Sequence, residues 1–407
     1  MDTNPDTNPD TNRGGNPVAN RSAAAIEAAC TLPVYPHLPI EPVSASGVHL
    51  HTADGREILD FYGGHAVTAL GYDHPALIGA VERQLKTLLF QSNMSPLAVR
   101  ARAAEKLTAF APDHLTRALF VNSGAEANEN ALRIACLATG RRKVVAVEHA
   151  FHGRSTAAAA VTWGSRKRWY AFPDLPFDVT FVPRDDAEAA RHAVDDATAA
   201  VIVEPVQGVA GAFDLTPAFL RALGEAAKAH GAIFIADEVQ CGTGRSGLPF
   251  TIQHAGVAAD IVTAAKSLGG GFPCGALLTT EALAAELRAG DLGTTFGGGP
   301  VASAAIEAVV DTITGENLMD NVRQREAQIR STCVTGPVAG IQGKGLLLGL
   351  RCTVPAARVR DALLERDILT GTSGDPAVLR LLPPYVIDTG HVERLAQALA
   401  ELRITDE

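Results

Sequence analysis

From about residue 115 onward the chain alternates continuous apolar runs with amphipathic stretches, and this alternation narrows the possible folds more than any other feature. Arg117–Val121, Lys143–Glu148, Ala199–Val203, Ala232–Ala236 and Ile261–Ala265 are dominated by Val, Ile, Ala, Phe and Leu. Unbroken apolar runs suit strands covered on both faces, as in a parallel sheet between two helix layers. Between them, Glu126–Leu137 reads as a helix, and another begins at Thr216-Pro217. A threonine side chain can accept from the free amides of a first turn, and proline fits that turn because no donor is lost there. Phe219, Leu220, Leu223, Ala226 and Ala227 then share one face, and Gly231 ends the helix. Strand and helix in alternation predict a doubly wound α/β unit whose ligands sit at the carboxyl ends of the strands.

After residue 315 the pattern changes. Asn317–Thr332 reads as a helix, followed by Gly345–Leu350, Ala356–Arg366 and Val378–Leu382 as strand, helix and strand, and Gly390–Leu402 as a closing helix. That mixture predicts a smaller α+β domain. Residues 2–12 repeat Asp-Thr-Asn with intervening proline, and the stretch to residue 20 stays polar and rich in Gly, Asn and Pro. They lack the apolar surface needed to offset ordering, so residues 1–20 are expected to be disordered.

Several function classes are disfavoured by composition. With 35 Lys and Arg against 45 Asp and Glu, the formal net charge is -10. A nucleic-acid binder needs a basic surface to neutralise phosphates, so no nucleic-acid partner is expected. No apolar run approaches the roughly 20 residues of a membrane span, and the first residues have no apolar signal core. The six cysteines form no CxxC pair, so reduced thiols in a cytoplasmic protein are expected, with no metal site.

The chemistry concentrates in residues 232–275. Asp237-Glu238-Val239-Gln240 directly follows one apolar run, and Lys266 directly follows the next. Gly269-Gly270-Gly271-Phe272-Pro273 then makes a bend. An acid at one strand end and a lysine at its neighbour can flank one flat ligand.

This stretch resembles the signature of class III (ω-amino acid type) aminotransferases, enzymes that use pyridoxal 5′-phosphate (PLP). The resemblance extends, in family order, through Asn122-Ser123-Gly124-Ala125-Glu126-Ala127-Asn128, Phe151-His152-Gly153-Arg154, Glu204-Pro205-Val206-Gln207-Gly208, Thr294-Thr295-Phe296-Gly297-Gly298, Gln342-Gly343-Lys344-Gly345 and Arg380-Leu381-Leu382-Pro383-Pro384. Its nearest branch is the acetylornithine and ornithine aminotransferases. The resemblance implies the α/β fold-type I architecture: a large domain with a mostly parallel seven-stranded sheet between helices, and a small α+β domain built from the chain ends. On that pattern residues 21–60 pack with the small domain, 61–315 form the large PLP-binding domain and 316–407 the small one.

The resemblance also implies roles. Lys266 would carry the cofactor aldehyde as a Schiff base and then move the substrate proton, in a ping-pong transfer from an amino donor to a 2-oxo acid such as 2-oxoglutarate. Asp237 would pair with the pyridine nitrogen. Ser123, Gly124 and Ala125 would take the phosphate, together with Thr295 from the neighbouring subunit of a homodimer. Phe151 and Val239 would pack on the two ring faces, with His152 beside Phe151 also at the cofactor. Gln240 would reach the phenolic oxygen, and Glu204 would orient Gln240 or the cofactor. Arg154 and Arg380 would hold substrate carboxylates.

The sequence departs from the family near the substrate. In ω-aminotransferases a glutamate follows the Glu-Pro-Val-Gln-Gly motif and pairs with the late arginine; here that position is Val209, which would leave Arg380 exposed to anionic substrates in both half-reactions. His65 stands where relatives carry an apolar or aromatic residue, making it a candidate specificity residue. Leu292 and Gly299 replace the usual His and Asn around the Thr-Phe motif. A racemase, epimerase or aminomutase of the same fold, and a non-catalytic PLP-fold binding protein, are the alternative readings.

Overall fold

The structure is a computed structural model that describes residues 22–404; the expected disorder of residues 1–20 lies outside them. Its centre is a seven-stranded sheet with the spatial order Arg117–Val121, Gly275–Thr279, Ile261–Ala264, Ile233–Asp237, Thr198–Val203, Lys143–Val147, Asp178–Val182. Gly275–Thr279 runs antiparallel to both of its neighbours, while the other pairings are parallel. That reversed strand begins at the last glycine of the 232–275 stretch; the sequence reading had only a bend there, because its signal is one more apolar run without its own helix.

Strand side chains alternate between faces, and the two faces make separate cores. Val145, Val201, Phe234, Ala236 and Val262 pack against Phe219, Leu220 and Leu223 of the helix Pro217–Ala229. Ala146, Ala200, Ile202, Ile235 and Ile261 pack against Ala131, Leu132 and Ala135 of the helix Gly124–Thr139. Thr216 caps its helix as expected, accepting from the Phe219 amide at 3.3 Å. The helix anticipated at Glu126 begins at Gly124, because Ser123 serves as its cap and accepts from the Glu126 amide at 3.2 Å. Asn317 falls outside its expected helix, which runs Leu318–Thr332; its φ of 54° is left-handed.

The chain ends share a second core. Glu57–Asp60 pairs in parallel with Ile368–Leu369, closing a four-stranded sheet that starts at Pro42–Ser46 and His49–Thr52. An antiparallel sheet joins Val338–Lys344, Leu347–Cys352, Val378–Leu381 and Gly371–Thr372. The helix Pro300–Gly315 links the cores: Ala302, Ile306 and Val310 face the sheet, while Ala305, Val309 and Ile313 face the chain-end core. All six cysteines are free thiols, and Cys241, Cys274 and Cys333 are buried. Among the described residues no helix is long and apolar enough to cross a membrane.

Candidate active site

Asp237 is the last residue of its strand and pairs in register with Thr263, three residues before Lys266. Acid and lysine therefore leave neighbouring parallel strands at the same end of the sheet, where α/β folds collect their ligands. Both line a cavity of about 450 Å³. Lys266 has a φ of 48°, a left-handed conformation that turns the chain sharply out of the strand. Among the described residues no hydrogen bond or ion pair takes up its amine. Burial pulls its proton affinity below that of an ordinary lysine; Asp237 and Glu204 oppose the shift. A buried lysine of lowered proton affinity can act as a nucleophile and as a base.

Asp237 is held on several sides. Its Oδ2 accepts from Asn128 Nδ2 at 2.7 Å and from His152 Nδ1 at 2.7 Å, and its Oδ1 accepts from the Val239 amide at 3.0 Å. Asn128 also bonds the His152 carbonyl at 2.8 Å and accepts from Thr263 Oγ1 at 2.8 Å. The carboxylate is thus fixed in orientation and kept as an acceptor. His152, expected at the cofactor, lines the same cavity, and its buried ring bonds Asp237. Asn128 and Thr263 were missed. The available signal was Asn128 itself, a polar side chain on the helix face otherwise carrying Ala127, Ala131 and Leu132.

The remaining walls come from loops after the strands. Phe151 and Val239 both line the cavity, as do Ser123, Gly124 and Ala125 at the start of the 16-residue helix. A Cβ on Gly124 would lie 2.5 Å from Val239 Cγ1, so only glycine lets the helix start and this side chain meet. Gln240 is 7% exposed; its Nε2 donates to the His65 carbonyl at 3.3 Å, and its Oε1 has no partner. Glu204 lines the cavity, and no hydrogen bond joins it to Gln240. It accepts from the Phe151 amide at 2.7 Å and the Gly208 amide at 3.4 Å, fixing the loop that carries the Phe151 ring.

Arg154 is exposed, with its guanidinium 6.0 Å from the Phe151 ring centre and 5.8 Å from that of Trp169. Val209 lines the cavity and is 36% exposed. Arg380, expected to stay unneutralised opposite Val209, is 6% exposed, with Nε on the Thr372 carbonyl at 2.8 Å, Nη1 on the Gly208 carbonyl at 3.2 Å and Nη2 on the Tyr62 hydroxyl at 2.7 Å. All three partners are neutral. Arg380 and His65 are not among the cavity-lining residues, nor is Thr295, which is exposed beside Phe296.

Glu204 gives a pH prediction. Burial lifts its carboxyl from 4.5 to about 7. The folded chain then binds this proton more tightly than the unfolded one. The resulting stabilisation is complete below about pH 4.5 and lost as pH rises through 7, by up to about 3 kcal/mol. Glu204→Gln should remove that slope. Thermal midpoints of the apoprotein from pH 5 to 8 should fall more steeply for the parent; parallel profiles would contradict it.

The cavity suits PLP on its own features: an uncommitted lysine amine, a fixed carboxylate facing the same space, the orphaned Gln240 Oε1 and a helix N-terminus for an anion. Fold and site together define a fold-type I PLP-dependent transferase. The class III aminotransferase profile matches residues 33–402, and the chain belongs to that family. It is 44% identical over 372 residues to the acetylornithine aminotransferase of Streptomyces coelicolor, covering 89% of this chain and 90% of that one. It is 38% identical to the acetylornithine/succinyldiaminopimelate aminotransferase of Yersinia pestis, covering 91% and 94%. The ornithine aminotransferase of Toxoplasma gondii superposes with a TM-score of 0.87 at 26% identity over 93% of each chain. A further structure of that enzyme has PLP at partial occupancy in its active site. The chain is thus a PLP-dependent transaminase that moves an amino group from an amino donor to a 2-oxo acid.

Proposed function

We propose that the donor is an ornithine- or acetylornithine-like amino acid or a specialised relative, that the acceptor is 2-oxoglutarate, and that the enzyme works as a cytoplasmic homodimer. Residues 61–315 serve as the cofactor-binding unit, and residues 21–60 with 316–407 close over it. The observation that carries the reading is the uncommitted Lys266 amine facing the same cavity as the fixed Asp237 carboxylate.

PLP, when bound, supplies an electrophilic carbon for the amino group and a ring that accepts the electron pair of a broken Cα–H bond. The chain supplies the rest. Lys266 holds the cofactor and afterwards carries the Cα proton. Asp237 would hold the ring nitrogen and keep a positive charge there favourable. Phe151 and Val239, which both line the cavity, would pack on the ring faces and exclude water. The amides of Gly124 and Ala125 would hold the phosphate at a helix N-terminus, whose dipole favours an anion. Arg154 offers a planar fork to a substrate carboxylate.

Thr295 supports a shared site: it is exposed, next to Phe296 at 64% exposure and Phe90 at 44%, whose rings are 5.3 Å apart. A second copy covering this apolar edge would bring Thr295 to its phosphate. Purified protein should show a visible cofactor absorbance that an amino donor bleaches and 2-oxoglutarate restores. Absence of colour after reconstitution would refute the reading.

Val209 tests the donor. Val209→Glu would place a carboxylate beside Gly208, whose carbonyl already binds Arg380. KM for substrates with a carboxylate at that end should rise by at least about tenfold, the equivalent of ~1.4 kcal/mol. Unchanged donor and acceptor KM values would contradict the assignment.

A further inference from the structure

The turn Gly63–Ala66 is left-handed at every residue, with φ of 55°, 56°, 67° and 69° at Gly63, Gly64, His65 and Ala66. Two of these residues carry a Cβ, for which this backbone is disfavoured, and such strain persists only where surroundings impose it. Here they do. The Gly63 amide donates to Asp60 Oδ1 at 2.9 Å, the His65 carbonyl accepts from Gln240, and the Ala66 carbonyl accepts from Ser267 Oγ at 2.8 Å. The turn is therefore tied to the residue after Lys266 and to the cavity wall.

Its product is the placement of one ring. His65 Nδ1 lies 2.9 Å from the Tyr62 hydroxyl, whose oxygen accepts from Arg380 Nη2 at 2.7 Å. Tyr62 is fixed in turn: a Cβ on Gly371 would lie 1.8 Å from Tyr62 Cε2. The charges facing His65 are Arg380 and Lys266, and burial together with these two cations lowers its proton affinity. A neutral His65 leaves Nδ1 as an acceptor, so the chain runs from Arg380 Nη2–H to the Tyr62 oxygen and from Tyr62 O–H to His65 Nδ1.

Arg380 has five N–H donors, and its three neutral partners use three of them. One N–H on each Nη remains. Among the described residues no carboxylate pairs with it. Glu204 acts on the guanidinium only from a distance; a buried cation with no paired counter-ion is costly, and a ligand carboxylate would supply one.

We propose that Tyr62 and His65 are specificity-determining positioning residues, holding Arg380 through a neutral hydrogen-bonded chain in place of an ion pair. The guanidinium is held in place but not paired, and it binds the carbonyl of Gly208, which adjoins the cavity-lining Val209; donor and acceptor alike then present a carboxylate to it. The inference rests on the aminotransferase reading of this site and deepens its substrate class.

The test is calorimetric titration of the holoenzyme with glutarate, a dicarboxylate that cannot transfer an amino group. Tyr62→Phe should weaken glutarate by about tenfold, and His65→Leu by about threefold, because a hydrogen bond to a charged group is lost or loosened. His65→Asn, whose Oδ1 can accept from Tyr62, should recover affinity lost in His65→Leu. For Tyr62→Phe, the KM for 2-oxoglutarate should rise by more than kcat falls. Parent-like glutarate affinity in both Tyr62→Phe and His65→Leu would overturn the proposal. Glutarate binding without any amino transfer would instead overturn the reading of the site.

Discussion

Lys266→Ala is expected to reduce transamination by at least about a thousandfold, since one side chain supplies both attachment and proton transfer, and positioned proton transfer alone accounts for about 10²–10⁴. The variant should also lose the reducible covalent link between protein and cofactor. Its fold should survive. The lysine makes no hydrogen bond among the described residues, and removing it relieves the burial of an amine whose charged form is disfavoured there. Borohydride treatment followed by mass measurement separates the two roles. A covalently labelled protein after Lys266→Ala would mean that another amine holds the cofactor. An unlabelled variant retaining substantial turnover would mean that another group moves the proton.

The second large effect belongs to Asp237. Asp237→Ala should cost about 100- to 1000-fold in kcat, the range for removing a preorganised electrostatic partner from an enclosed site. Asp237→Asn should be nearly as damaging despite its shape. Both aspartate oxygens accept: one from Asn128 and His152, the other from the Val239 amide. An asparagine has one oxygen, so its amino group must face another donor on one side. The expected signature is a loss of kcat with altered cofactor absorbance while the colour remains. An Asn variant with parent kinetics would show that charge at residue 237 does not matter. His152→Phe in parallel would tell how much of the effect is orientation, because it removes one donor and keeps the charge.

The fold was readable where burial is two-sided and continuous. The strands Lys143–Val147, Thr198–Val203, Ile233–Asp237 and Ile261–Ala264 stand within one residue of their apolar runs, because a strand covered on both faces can carry little else. Gly275–Thr279 is equally buried, yet its antiparallel direction was not readable, since direction depends on where the chain returns and not on composition. The strands Pro42–Ser46 and His49–Thr52 expose or half-expose most residues and gave no comparable signal.

By itself the sequence determined the ordered set of reactive residue types: an acid and a lysine at the ends of apolar strands, a serine-glycine start to a helix, and arginines in fixed motifs. These are properties of single positions and their neighbours, so local pattern carries them. Only the tertiary structure decided which groups face the cavity and which stand behind it. His152 and Glu204 line the cavity while holding Asp237 and the Phe151 backbone, whereas Arg380 is enclosed by Tyr62, Thr372 and Gly208. The reason is physical: buried polar groups must find partners, and those partners come from segments far apart in the chain, here residues 62 and 380.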